Sequence, residues 1–146
     1  MAITQALANS FKKELLEAEH NFKQTGGDKF KIALYTSSAT LNSATTSFTT
    51  TYEVDNSGQY ASGGGALSNL GTSIASGVAI VDYADRSFTG VTLTARGALI
   101  YNTSATVANA AVAALDFGAD KTATSGTFTI QFPAFTTAAA ILRISG

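Results

Sequence analysis

The chain has 146 residues, which suits one domain with a single core, and its charged fraction of 13% is about half of the roughly 25% usual in soluble domains. A formal net charge of -1 provides no general attraction to phosphate groups, so we expect no nucleic-acid partner. The sequence contains no cysteine, which excludes disulfides and thiolate metal sites.

The first segment carries the pattern of an amphipathic helix. Apolar residues recur at spacings of three or four, with Thr4 as the expected N-cap and Gly26-Gly27 as the stop. We expect this apolar stripe either to pack on the chain's own sheet or to dock on a neighbouring subunit. Its large members are the candidate interface residues: Ile3, Leu7, Phe11, Leu15 and Phe22.

From Lys29 onward, apolar residues alternate with polar ones, which is the pattern of half-buried β-strands. This alternation predicts strands at residues 30–34, 91–95 and 128–132. Runs that are apolar on both faces predict strands at 78–81 and 110–115. Residues 98–101 are expected to continue the strand at 91–95 after a bulge at Gly97. Residues 141–144 are expected to form a short last strand.

Segments rich in turn residues separate these strands, at 37–51, 55–58, 63–65 and 118–126. The only proline, Pro133, is expected at a strand end. The pattern predicts a mostly β chain with a single antiparallel β-sandwich of about seven strands and one N-terminal α-helix. The predicted division is an amphipathic helix or arm at residues 1–25 and a β-sandwich domain at residues 28–146.

Few residues indicate catalysis. His20 is the only histidine, and its place at the end of a charged helix is typical of a surface residue. Asp82 with Asp85, and Asp116 with Asp120, follow predicted strands and could bind Ca²⁺ together if the strand ends met. Asp more commonly caps turns, and neither pair matches the spacing of a calcium loop. We therefore predict no enzyme, with no catalytic residue, no cofactor and no metal.

Two further features leave alternatives open. The run Gly63-Gly64-Gly65 lacks the following helix and the Lys-Ser/Thr of a phosphate loop, so we interpret it as a flexible or closely approached loop. The five tyrosines could stack on sugars, although tyrosines more often fill sheet edges and interfaces.

Membrane association is not expected. No apolar run approaches the ~20 residues that span a bilayer. Residues 1–22 carry charges where the apolar part of a secretory signal would lie. We therefore expect no membrane partner and synthesis in a host cytoplasm.

Four segments together resemble a group of small structural proteins of tailed bacteriophage particles. They are Asp-Lys-Phe-Lys-Ile-Ala-Leu-Tyr-Thr-Ser at 28–37, Ala-Arg-Gly-Ala-Leu-Ile-Tyr-Asn at 95–102, Leu-Asp-Phe-Gly-Ala-Asp-Lys at 115–121 and Phe-Thr-Ile-Gln-Phe-Pro at 128–133. The opening residues 1–16 are similar to that group too. The resemblance implies a virion component that contacts other virion proteins, in the capsid or the tail, and it carries over no functional residue.

These observations lead us to expect a structural protein of the virion that acts by protein–protein packing, as a homo-oligomer or in many copies. A surface rich in Thr and Ser costs less to desolvate than a charged one, which suits assembly interfaces. Capsid decoration or cementing is the favoured position. The alternatives are a tail fibre, baseplate or adaptor component, and a glycan-binding β-sandwich module.

Overall fold

The computed structural model describes residues 2–145. Met1, the first residue of the predicted arm, and Gly146, the last residue of the predicted β-sandwich domain, lie outside the described residues. The described part contains one short helix and eight strands. In chain order they are β1 (Ala6–Leu7), α1 (Asn9–Leu16), β2 (Phe30–Tyr35), β3 (Gly65–Ala66), β4 (Asn69–Ala75), β5 (Val78–Tyr83), β6 (Arg86–Asn102), β7 (Ala110–Ile130) and β8 (Leu142–Ile144).

The strands form two antiparallel sheets. One has five strands in the order β1-β7-β6-β2-β3, and the other has three in the order β4-β5-β8. The prediction of a mostly β chain with antiparallel pairing is confirmed. A single sandwich of about seven strands is not confirmed, since the sheets have five and three strands.

The two longest strands, β6 and β7, pair along most of their length. The predicted loop at residues 118–126 is wrong, because β7 continues through it. Asp116 explains the continuity: its Oδ1 accepts hydrogen bonds from Gly118 N at 2.9 Å and from Arg96 Nε at 3.2 Å. These two donors, the backbone N–H first, hold the pKa of Asp116 below its usual range. The chain thus passes Gly118, with φ of 82°, as an irregularity within the strand.

The predicted bulge at Gly97 is confirmed by a shift in pairing register between Ala95 and Gly97. A side chain could not be added at this position. A Cβ on Gly97 would lie 2.4 Å from Leu115 O and 2.8 Å from Ile3 Cδ1. The glycine therefore allows the N-terminal segment to pack closely on the centre of the larger sheet.

The predicted N-terminal helix is much too long, since α1 contains only eight residues. Thr4 is not its N-cap; Ala8 is, while Thr4 N donates to Leu41 O at 2.8 Å. Leu7 lies in β1, opposite Ala113 of β7, so pairing with a long strand overrides the helical spacing. Residues 3–8 are thereby held against the β domain.

The helix ends far before the predicted stop at Gly26-Gly27. Ala18 adopts a left-handed conformation with φ of 60°, its N–H donates to Leu15 O at 3.3 Å, and Glu19 N donates to Glu14 O at 3.0 Å. These two bonds form a Schellman motif, which satisfies the last carbonyl groups of a helix. The turn directs the following residues back toward the core, where Phe22 is buried.

Strand β4 was not predicted from the sequence. It forms a hairpin with β5 through Ser76 and Gly77, whose φ values of 51° and 75° are both positive, as in a type I′ turn. The signal in the sequence was the Ser-Gly pair between two partly apolar runs. The predicted strands near residues 30, 78 and 142 are confirmed as β2, β5 and β8.

Candidate functional site

An apolar groove lies between α1 and the three-stranded sheet. Its volume is about 420 Å³, and most of its walls are hydrocarbon. The groove is lined by Leu7, Phe11, Lys12, Leu15, Leu16, Phe22, Thr72, Ala79, Ile80, Val81, Leu142, Arg143 and Ile144. Concave apolar surfaces of this kind are typical of sites that bind ligands or protein segments.

The strand register explains the apolar floor of the groove. Residues directly opposite each other in neighbouring antiparallel strands point to the same face of a sheet. One such row joins Ile74, Ala79 and Ile144, and the next row on that face joins Thr72, Val81 and Leu142. The apolar floor therefore continues past the groove to Ile74, at the free edge of the sheet.

Three large apolar side chains around the groove are strongly exposed. The exposed fraction is 90% for Leu16, 72% for Ile74 and 59% for Ile144. Single exposed apolar residues are ordinary, but an exposed set continuous with an apolar groove is a sign of an interaction surface. We define Leu16, Ile74, Ile144 and the groove as the apolar surface.

The charged residues that line the groove are cations. Lys12 stands on α1, and Arg143 stands on β8, where its Nη1 donates to Ala138 O at 2.8 Å. Lys13, by contrast, does not line the groove and pairs with Glu17 at 2.7 Å. The groove thus combines an apolar floor with Lys12 on its helical wall, which favours an apolar partner segment that carries an acidic group.

Four of the candidate interface residues predicted from the sequence line this groove, namely Leu7, Phe11, Leu15 and Phe22. Ile3 lies elsewhere: it is buried, and it forms a bridge with Leu41. Phe11 and Phe22 are also buried within the chain, so Leu7 and Leu15 are the predicted residues with accessible surface. A role for this set at an interface stays a prediction.

Leu16 and Ile144 were not among the candidate residues. Leu16 fell outside the predicted stripe, and Ile144 was expected only as part of a last strand. A leucine on the polar side of an amphipathic pattern was the available signal for Leu16, since an isolated apolar residue there has no place in the chain's own core.

The second notable cluster is polar and buried. The prediction that His20 is a surface residue is wrong, because its exposed fraction is only 7%. Its Nε2 lies 3.0 Å from Glu14 Oε1, and its Nδ1 lies 3.0 Å from Asn102 Nδ2. The ring also packs against Phe11, with centroids 4.8 Å apart.

Asn102 organises this cluster. Its Oδ1 accepts from the backbone N–H groups of Ser104 at 2.8 Å and Ala105 at 3.1 Å, which fixes the orientation of the amide. Its Nδ2 therefore faces His20, and it also donates to Asp28 Oδ2 at 2.7 Å. Asn102 thus uses two donors and two acceptors, the full capacity of its side chain. The cluster joins the N-terminal segment to the end of β6, and its buried residues Glu14, His20 and Asn102 do not line the groove, which indicates a structural role.

A polar hollow is lined in part by Glu53, and its polar groups serve to hold a loop in place. The carboxylate of Glu53 accepts from Tyr60 Oη at 2.7 Å, Ser62 Oγ at 2.8 Å and Gly63 N at 2.7 Å. A Cβ on Gly64 would lie 1.8 Å from Ile32 O, which supports the interpretation of the glycine run as a closely approached loop. Glu53 and the glycines therefore fix this loop against β2.

Across the described part of the chain, the structure does not gather the two aspartate pairs into one metal-binding group. Asp82 is fully buried beside β8, while Asp116 belongs to the irregularity in β7. Within residues 2–145, no group of three or more His, Asp or Glu side chains is placed to hold a metal ion. The capping role expected for aspartate is seen at Asp116, which accepts from Gly118 N two residues further on.

The tyrosines do not provide a surface for stacking sugars. Four of the five are buried in the chain, and only Tyr52 is exposed, at 48%. Burial raises the pKa of the Tyr101 hydroxyl to about 12, and its hydroxyl donates to Gly63 O. The glycan-binding alternative therefore lacks the aromatic platform on which it depended.

In residues 2–145, no helix is long and apolar enough to cross a bilayer. No protein-family model matches the chain, and comparisons with curated proteins and with solved structures found no match.

Proposed function

We propose that this chain is a structural component of a tailed-phage particle, where it binds other particle proteins by packing. Capsid decoration or cementing is the position we favour. The virion setting is supported by the resemblance of the four sequence segments to phage particle proteins. The mode of action is supported by one structural observation, the apolar surface that combines the groove with the exposed Leu16 and Ile144.

The partner that this surface fits is an apolar protein segment with an acidic group. Full burial of a leucine or isoleucine side chain contributes about 1.5–3 kcal/mol relative to exposure. Leu16 and Ile144 therefore offer several kcal/mol on contact, and the Lys12 charge on the helical wall of the groove provides a match for a carboxylate. A short apolar stretch of a capsid subunit, flanked by Asp or Glu, has these properties.

The particle role is tested by mass spectrometry of purified phage particles. The proposal predicts that the chain is present after density purification, in many copies per particle. Its absence from the particles would refute the virion role. Imaging of particles with a labelled chain then separates the positions, because decoration predicts label over the head and the tail alternative predicts label at one end.

The contact mode is tested by Leu16→Glu, which places a charge at the mouth of the groove without removing a buried residue. We expect at least a tenfold loss of incorporation into particles, with unchanged thermal unfolding. Val107→Glu is the matched control, because Val107 is also an exposed apolar residue, at 43%, and lies outside the groove. Equal incorporation of both variants would show that the groove is not the contact.

A further inference from the structure

We propose that the free edge of β4 pairs with β4 of a second copy, which joins two three-stranded sheets into one sheet of six strands. A sheet edge exposes backbone N–H and C=O groups, and proteins normally protect such edges with short strands, charges or proline. The edge of β4 borders the apolar surface, since Thr72 lines the groove and Ile74 is one of its exposed residues, but the pairing of this edge does not depend on the virion setting.

Residues 72–75 of β4 lack those protections. The other end strands of the two sheets, β1, β3 and β8, have two or three residues, whereas β4 has seven, of which the last four pair regularly with β5 after a register shift between Asn69 and Thr72. The outer part of β7 carries Asp120 and Lys121. Residues 68–81, by contrast, contain no charged side chain and no proline, and residues 72–75 are all exposed.

The hairpin geometry identifies the free backbone groups. Hydrogen-bonded and non-hydrogen-bonded pairs alternate along an antiparallel ladder, and a two-residue turn closes on a hydrogen-bonded pair. Ala75 and Val78 flank the turn, so Ser73 also bonds toward β5. Thr72 and Ile74 consequently direct their N–H and C=O groups outward, and in the described chain these groups have no hydrogen-bond partner.

A two-fold axis at Ser73 satisfies all of these groups. It places Thr72 opposite Ile74 of the second copy, and the reverse, so that both pairs exchange two hydrogen bonds. The apolar face then continues without a charge across six strands. In order, its row is Ile144, Ala79 and Ile74 of one copy, then Thr72, Val81 and Leu142 of the other.

The charge distribution favours a second copy over a charged partner. Arg143 is the nearest exposed charge in this sheet, and it lies on β8, two strands from the edge. The two Arg143 side chains of a dimer would be about 24 Å apart, given about 4.8 Å between strands, which exceeds the Debye length of about 8 Å at physiological salt. An uncharged edge with Ile74 exposed can therefore face its own copy without repulsion.

Cross-linking provides the direct test, because the chain has no cysteine of its own. Ser73→Cys places two thiols at a non-hydrogen-bonded pair on the axis, where Cα atoms about 4.5 Å apart permit a disulfide. Ser68→Cys is the matched control, because Ser68 is exposed in the same segment but would lie about 34 Å from its copy at about 3.4 Å per residue. We expect rapid covalent dimer formation only at position 73.

Sedimentation of the unmodified chain gives the second measurement, with a dimer expected at micromolar concentration. Ile74→Lys should weaken this dimer at least tenfold, and adding Thr72→Glu should restore it at low salt, since position 72 faces position 74 of the other copy only in this register. A monomer at all concentrations, equal cross-linking at positions 68 and 73, or an open-ended series of oligomers would each overturn the proposal.

Discussion

The side-chain amide of Asn102 donates a hydrogen bond to Nδ1 of His20 across 3.0 Å. Because an amide N–H can only donate, Nδ1 must be the acceptor, and the proton of the neutral ring is on Nε2, which donates to Glu14 Oε1. One asparagine thus sets the tautomer of the only histidine.

This tautomer is directly measurable. A long-range ¹H–¹⁵N correlation spectrum of the folded protein at neutral pH will show one histidine, with the nitrogen shifts of the Nε2–H form. The single histidine makes the assignment unambiguous. The shifts of an Nδ1–H ring would contradict the orientation of Asn102.

Replacing Asn102 by Ala should destabilise the fold by about 2–4 kcal/mol. The substitution removes four hydrogen bonds and leaves buried partners unpaired, each at a cost of about 1–3 kcal/mol that partial relaxation reduces. Urea unfolding measures this loss. Asn9→Ala is the control, because Asn9 is exposed, and we expect a change within about 0.5 kcal/mol. A similar effect for both variants would refute a structural role for the cluster.

Replacing Ala18 by Gly should stabilise the protein by about 0.5–1 kcal/mol. Ala18 holds φ of 60° at the end of α1, a conformation that costs a non-glycine residue about 1–2 kcal/mol. The greater freedom of glycine in the unfolded chain offsets part of that gain. Thermal unfolding would show a higher midpoint for Ala18→Gly and a lower one for the β-branched Ala18→Val. A lower midpoint for the glycine variant would mean that residue 18 is not left-handed.

Asp82 should make the fold less stable as pH rises. Burial raises the pKa of this carboxyl above its ordinary value of 3.8, and nearby Asp85 adds to the effect. The folded state therefore holds the proton more tightly than the unfolded state, so stability is greatest below the unfolded pKa and falls as pH rises through the folded pKa.

The Asp82→Asn variant tests this dependence, because it cannot ionise. Its free energy of unfolding relative to the unmodified protein should increase between pH 3 and the raised pKa. Asp120→Asn, at an exposed position, removes the same charge and should show no comparable increase. Parallel pH profiles for Asp82→Asn and the unmodified protein would exclude an energetic penalty at Asp82.

The sequence was informative where local pattern and tertiary packing agree. Alternation around Ile32 predicted β2, and Gly97 marked a bulge whose reason, contact with Ile3, only the structure supplies. The predicted length of the N-terminal helix was wrong, because strand pairing at Leu7 and the left-handed turn at Ala18 override the helical spacing of the apolar residues. The full length of β7 was not predicted, because Asp116 and Gly118 are residue types typical of turns, whereas here they form a bulge within a strand.

The candidate site was predictable only in part. Four residues of the predicted apolar stripe line the groove, because an amphipathic segment must face some apolar surface, while their role at an interface stays a prediction. The opposite wall on β5 and β8 could not be found, since it depends on contacts between distant parts of the chain. The buried role of His20 depends on Asn102, 82 residues away, which no local pattern encodes.

Hydrogen–deuterium exchange of the chain on purified particles and free in solution measures contact through the apolar surface itself. We expect slower exchange on particles for the amides of α1 near Leu16 and of β8 near Ile144, with no change near Val107. Equal exchange rates for α1 and β8 in both states would contradict it.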